Sequence, residues 1–288
     1  MKNIRLKARA KINLTLDVVG KREDGYHLLE SVMQTVALYD GITIERIPED
    51  EIIIEANLRW LPTDRRNLAY RAAELMRETY SITEGVKIQM DKRIPVAAGL
   101  AGGSADCAAV LVGMNRLFSL GVKKRELQRL GAILGSDIPY CIQRGTALAE
   151  GVGDVLTPIK KGCPMCYVVL AKLPVSMSTA VVYGGLQLDE TIVHPDTKGM
   201  LAAMEAGDVQ AMGRCLGNVL ETVSIPMQPK IAQLKQEMIA LGAEGALMSG
   251  SGPTVFGLFQ EEAVAKKVAT KIRRKFGLKE VFVTRIYH

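Results

Sequence analysis

Tryptophan is almost missing from this chain of 288 residues, which holds one, together with five phenylalanines and three histidines. So few rings are poor material for stacking single-stranded bases, and no extended basic tract accompanies them, so no nucleic-acid partner is expected. Long apolar runs are also lacking: none approaches the roughly 18 residues that would span a bilayer. The opening MKNIRLKARAKINL breaks its apolar residues with Lys or Arg at nearly every second position, unlike the continuous apolar core of a signal peptide. A cytoplasmic protein with no membrane partner is the expectation. Cysteines number five, an odd count that argues against a disulfide framework. Cys163 and Cys166 form a lone CPMC with no second pair, so they read as ordinary thiols at a strand entrance, and no metal ligand is assigned.

What is present is a globular balance: 48% hydrophobic and 24% charged residues, in a chain long enough for a sizeable core. The formal charge is +6, from 37 basic and 31 acidic residues, with a pI near 9.0. That surplus suits a small anionic ligand such as a nucleotide or phosphorylated metabolite. The densest basic cluster, Lys271 to Lys275, sits in a helical pattern and reads as a solvated helix face.

Residues 4–18 alternate strictly. Ile4, Leu6, Ala8, Ala10, Ile12, Leu14, Leu16 and Val18 share one face; Arg5, Lys7, Arg9, Lys11, Asn13, Thr15 and Asp17 share the other. Period two predicts one long strand with a single buried face, and it sets Lys11 beside Asn13. Further strands are predicted at 28–38, 42–47, 51–55, 86–90, 167–170, 245–249, 254–259 and 280–286. Helices are predicted at 67–80, 105–117, 123–134, 197–205, 207–220, 228–241 and 261–275. Short strands and helices without a regular βαβ repeat indicate α+β, with a domain break near 155–165 that divides the chain into 1–160 and 161–288.

The segment Pro95-Val96-Ala97-Ala98-Gly99-Leu100-Ala101-Gly102-Gly103-Ser104 precedes an apolar helix opening at Ala105. Glycines allow close backbone approach, and a helix start gathers free N–H groups and partial positive charge, which together bind anions. The other reading is a tight loop with Ser104 as a simple N-cap. Ser136 or Asp137 could likewise cap a turn before Pro139. Taken singly, Lys11 reads as a solvated lysine, His27 as a loop residue and Asn67 as a helix cap.

Together, AKINLTL (10–16), GKREDGYH (20–27), NLAYRAA (67–73), PVAAGLAGGSAD (95–106), GSDIPY (135–140) and SGSGPT (249–254) resemble the GHMP small-molecule kinase superfamily over nearly the whole chain. AKINL followed by GKREDGYH is the most specific part. It is similar to the branch that phosphorylates a cytidine-diphosphate-linked polyol.

The resemblance implies a two-domain GHMP kinase fold, with an N-terminal half like ribosomal protein S5 domain 2 and a ferredoxin-like C-terminal half. It implies Asp137 as catalytic carboxylate and Lys11 as its partner. Asn13 would contact the polyol or its phosphates, Tyr26 and His27 the cytosine, and Gly250, Ser251 and Gly252 the substrate side. Asn67 and Leu68 would lie near adenine, and Pro95 through Ala105 around the phosphates of ATP, with Mg2+ expected. The partners would be these two small molecules, and the protein a monomer or weak homodimer. Ala97, Ala98 and Ala101 depart from positions often glycine in the superfamily, which implies a stiffer loop. Two rivals remain: a related kinase acting on homoserine, mevalonate or a sugar, against which Tyr26-His27 argues, and a non-catalytic RNA-binding protein.

Overall fold

The computed structural model describes residues 2–23, 25, 27–190 and 192–288. The chain divides into two compact units. The first takes the chain up to Ala10, Leu38–Val96 and Ala101–Arg144; the second takes Lys11–Ala37, Ala97–Leu100 and Gly145–His288.

The alternating N-terminal stretch forms two strands, β1 (Asn3–Asn13) and β2 (Thr15–Lys21), where the sequence suggested one. Its apolar face is buried as expected, but its polar face is buried as well from Lys11 to Asp17. The two strands expected at 28–38 and 42–47 are one, β3 (His27–Ile47), because nothing at Tyr39-Asp40-Gly41 reverses the chain. Then come β4 (Ile52–Ala56), α1 (Leu68–Thr79), β5 (Gly85–Asp91), α2 (Gly102–Leu117), α3 (Lys124–Leu134) and α4 (Ile138–Gln143).

In the first unit β5 pairs antiparallel with β3 and parallel with β4. The apolar helix α2 packs against α1, α3 and α4. It is buried nearly all round, from Ala105 to Leu117, as an apolar helix inside a core must be. Gly113 is what lets it approach the strands: a Cβ there would lie 2.5 Å from Ile44 Cδ1 and 2.9 Å from Leu6 Cδ1. Asn67 caps α1, its Oδ1 accepting from the Ala69 N–H at 3.0 Å.

The second unit continues with β6 (Thr146–Glu150), β7 (Val155–Pro158), β8 (Tyr167–Lys172), α5 (Thr179–Gly184), α6 (Thr197–Ala206), α7 (Val209–Cys215), β9 (Gly217–Asn218) and α8 (Glu221–Met227). It ends with α9 (Lys230–Ala240), β10 (Gly245–Met248), β11 (Thr254–Phe259), α10 (Glu262–Phe276) and β12 (Val281–Arg285). The helix expected at 207–220 stops at Cys215, where Leu216 turns extended and β9 pairs with β2. Strands β10, β11, β8 and β12 form an antiparallel sheet in that order, packed against α9 and α10. Helix α10 buries Ala265, Val268, Ala269 and Ile272, leaving the basic cluster exposed as expected. Cys163 and Cys166 form no disulfide and are fully buried just before β8, and their mutual hydrogen bond, then burial, pushes the Cys163 thiol far above its usual range.

Candidate active site

Lys11 is 5% exposed, so it is no ordinary solvated lysine. A buried ammonium is costly unless acceptors meet it. Two residues along the same face, Asn13 supplies one: Lys11 Nζ donates to Asn13 Oδ1 at 2.8 Å. Asn13 Nδ2 in turn donates to Ser31 Oγ at 2.8 Å, and Ser31 donates to the Thr15 carbonyl at 2.5 Å. Strand spacing thus turns an i, i+2 pair into a buried polar chain anchored on β3. Ser31 was missed from sequence, since a serine in an apolar strand carries no signal until its cross-strand neighbour is known.

The Lys11 backbone N–H donates to the Leu100 carbonyl at 3.1 Å, tying this strand to the glycine segment. Gly99 has φ +72°, and a Cβ on it would stand 2.1 Å from the Ser249 carbonyl oxygen. Ser249 Oγ donates to the Gly99 carbonyl at 2.9 Å. The SGSG turn is held from beneath by Asn218 of β9, whose Nδ2 donates to the Met248 and Gly250 carbonyls at 2.9 and 2.8 Å. Ser251 Oγ lies 3.0 Å from Thr179 Oγ1. Lys11, Asn13, Gly99, Leu100, Gly250, Ser251 and Gly252 therefore share the second unit. Asn218 was missed because a two-residue strand leaves no periodic trace.

His27 opens β3 and its ring faces Tyr183 at the end of α5, with centroids 5.3 Å apart and planes tilted by 41°. Burial and the charge of Lys21 hold its imidazole below the usual histidine pKa, so it is neutral at pH 7 and both donates and accepts. Tyr26 lies outside the described residues. Tyr183 was missed, although an aromatic ring in a chain this poor in them was a signal. Asp17, on the polar face of β2, accepts from His194, with Nδ1 2.8 Å from Oδ1.

In the first unit α2 begins at Gly102, three residues before the expected start. Ala101, not Ser104, is its N-cap residue, with φ 54°; Ser104 lies inside the first turn. The N–H groups that a helix start leaves without an acceptor inside the helix therefore belong to Gly102, Gly103 and Ser104. Leu68 meets this turn: a Cβ on Gly103 would lie 3.8 Å from Leu68 Cδ1. Asn67 serves as cap and also donates to the Pro62 carbonyl at 2.8 Å. Of the three alanines, Ala97 and Ala101 occupy the left-handed region, at about 1–2 kcal/mol each. Asp137 stands half-buried at the head of α4, which packs against α2 and α3. Its carboxylate makes no capping bond to α4, so the reading of Asp137 as a side-chain cap fails.

Among the described residues no group of three or more His, Cys, Asp or Glu side chains could hold a metal ion. Nor is any described helix long and apolar enough to cross a membrane.

Two family models match, "GHMP kinases N terminal domain" over residues 67–145 and "GHMP kinases C terminal" over 200–278. These matches and the two-part α+β architecture define the class: the chain is a GHMP kinase. A 4-diphosphocytidyl-2-C-methyl-D-erythritol kinase of Lachnospira eligens is 49% identical over 100% of this chain and 99% of its own. The enzyme of that name from Geobacillus thermodenitrificans is 51% identical over 93% and 92% of the two chains. A crystal structure of 4-(cytidine 5'-diphospho)-2C-methyl-D-erythritol kinase superposes with TM-score 0.83 at 31% identity, covering 99% of this chain and 100% of that one. The chain belongs to the 4-diphosphocytidyl-2-C-methyl-D-erythritol kinase family.

Proposed function

We propose that the chain transfers the γ-phosphoryl group of ATP to the 2-hydroxyl of 4-diphosphocytidyl-2-C-methyl-D-erythritol, a step on the non-mevalonate route to isoprenoid precursors. The observation that carries this reading is the bond from the Lys11 N–H to Leu100, which joins the strand of Lys11 and Asn13 to the middle of the glycine segment. Asp137 is assigned as the catalytic carboxylate and Lys11 as its partner. Asn13 is assigned to the polyol or its phosphates, and Tyr26 and His27, now with Tyr183, to the cytosine. Asn67 and Leu68 serve adenine, residues 95–105 the triphosphate, and Gly250 to Gly252 the substrate side.

Magnitudes decide how Asp137 acts. An alcohol ionises near the pKa of water, about 15.7, and an aspartate near 3.9. Full deprotonation before transfer would cost roughly 12 units, about 16 kcal/mol. In a loose transition state the bond to phosphorus forms with little prior proton movement. Asp137 then orients the hydroxyl and takes its proton late, while the Lys11 ammonium offsets charge on the reacting oxygens. The larger share, up to about 7–11 kcal/mol, comes from holding two anionic substrates in line.

Mg2+ is expected as the companion ion of ATP, where it would neutralise phosphate charge, and among the described residues no ligand set for it is assigned. The division into domains 1–160 and 161–288, a cytoplasmic location, and a monomer or weak homodimer are proposed with this function. The test is transfer of labelled phosphate from ATP to the cytidine substrate, with the product position read by phosphorus NMR. Equal turnover of free methylerythritol, or none with either acceptor, would sink the reading.

A further inference from the structure

Three charged side chains outside the assigned site meet in the core of the first unit. The Lys92 ammonium contacts both the Asp40 and the Asp106 carboxylates. None of the three side chains is more than 3% exposed. Lys92 follows β5, directly before the glycine segment, and Asp106 lies in α2, directly after it. Asp40 comes from β3 and holds the entry a second way. Its Oδ1 accepts from the backbone N–H groups of Arg93 at 2.5 Å and Ile94 at 2.8 Å. Asn57 pins the same point, accepting from the Lys92 N–H at 2.9 Å and donating to its carbonyl at 3.1 Å. The two ends touch at Gly102, where a Cβ would lie 3.1 Å from Ile94 Cγ2 and 3.6 Å from Lys92 Nζ.

Such a cluster is weak evidence of stability, because apolar residues of equal volume commonly do as well or better there. What it supplies instead is fixed geometry and a set local charge. We propose that Asp40, Lys92 and Asp106 are positioning residues that clamp the two ends of the glycine segment and thereby set its affinity for the nucleotide triphosphate. The inference rests on the reading of residues 95–105 as the triphosphate cradle.

The charge state supports the clamp. Burial pushes Asp106 up to about 8, against the pull of Lys92 and with the repulsion of Asp40. Burial would lower Lys92, but the two carboxylates more than offset it and hold the amine above its usual range. Asp106 Oδ1 is buried without a hydrogen-bond partner, a burden that a neutral carboxyl bears more easily than a carboxylate. Other groups packed against α2 do not change this. Arg71 of α1 acts on the adjacent Cys107, and Glu126 and Arg129 of α3 pair with each other at the surface. Helix α4 brings Tyr140 and Cys141, with the Asp137 carboxyl at its head. At neutral pH the Lys92 ammonium therefore meets an Asp106 held mainly as a carboxyl, and Asp106 does not repel a triphosphate. Above about pH 8 the Asp106 carboxylate forms near the start of α2 and opposes the positive helix end.

Calorimetric ATP affinity and KM for both substrates, measured on the full chain between about pH 6 and 10, test the clamp. Asp40→Asn should raise KM for ATP about tenfold, with KM for the cytidine substrate within about twofold. Asp106→Asn should raise it less than about threefold at pH 7. It should also abolish the weakening of ATP binding above about pH 8 that wild type shows. Equal changes in both KM values, or an Asp106→Asn pH profile superposable on wild type, would overturn the proposal. If Asp40→Asn shows no cooperative melt, the Asp106→Asn profile decides alone. Ser104→Ala separates the two readings. Weakened ATP binding there with silent Asp40 and Asp106 variants sinks the clamp only, whereas ATP binding indifferent to Ser104→Ala and to every clamp variant sinks the cradle itself.

Discussion

At the scale of single residues the chemistry depends on charges held where water would otherwise quench them. Asp137→Asn keeps the shape of the side chain and removes the carboxylate proposed as proton acceptor. Turnover should fall by about two to four orders of magnitude, while nucleotide affinity stays within a few-fold; single-turnover kinetics beside calorimetry would show it. His27 makes a prediction in pH. Its pKa lies below the usual histidine value through burial and Lys21, so it is neutral at pH 7 and becomes protonated only as pH falls through that lowered pKa. Protonation removes its acceptor nitrogen, so KM for the cytidine substrate should rise in acid while KM for ATP does not. His27→Gln should flatten that limb. Both residues were singled out in the sequence, within GSDIPY and GKREDGYH. Tyr183 was not, because the contact with His27 joins residues far apart in the chain.

Among elements, the glycine segment and its two supports respond most sharply to substitution. Gly99 has a positive φ and a carbonyl 2.1 Å from where a Cβ would stand, so Gly99→Ala should cost about 2–3 kcal/mol and weaken ATP binding. Gly103 faces only Leu68 Cδ1 at 3.8 Å, so Gly103→Ala should melt within a degree or two of wild type. Thermal melts of the two variants, side by side, decide it. The same scale shows where periodicity reads well and where it fails. Helices α1, α3 and α10 carry apolar residues at helical spacing above a charged face, and their positions follow from that spacing. The start of α2 did not, because Gly102 and Gly103 are poor helix formers and tertiary packing carried the helix back through them. The merging of β3 escaped because Tyr39, Asp40 and Gly41 interrupt the apolar pattern yet stay extended, Gly41 paired with Asp91.

For the molecule as a whole, 37 basic residues outnumber 31 acidic ones, and both proposed substrates are anionic. Long-range attraction between exposed charges is screened within about 8 Å at physiological ionic strength. Accordingly kcat/KM should fall several-fold as salt rises from about 0.02 to 0.5 M, with kcat little changed. A salt-independent kcat/KM would show that the net charge plays no part in capture.

The sequence alone determined the period-two strand that sets Lys11 beside Asn13, the glycine segment before an apolar helix, the α+β class and the ordered motifs of a GHMP kinase. Each is written in local spacing, because backbone geometry repeats every two or 3.6 residues whatever lies nearby. Folding alone decided that the polar face of β1 and β2 is buried from Lys11 to Asp17, that Asn218 carries the SGSG turn, and that Asp40 and Asp106 close on one lysine. Those arrangements join residues tens to hundreds of positions apart, and no local period records which distant side chain will fill a given space.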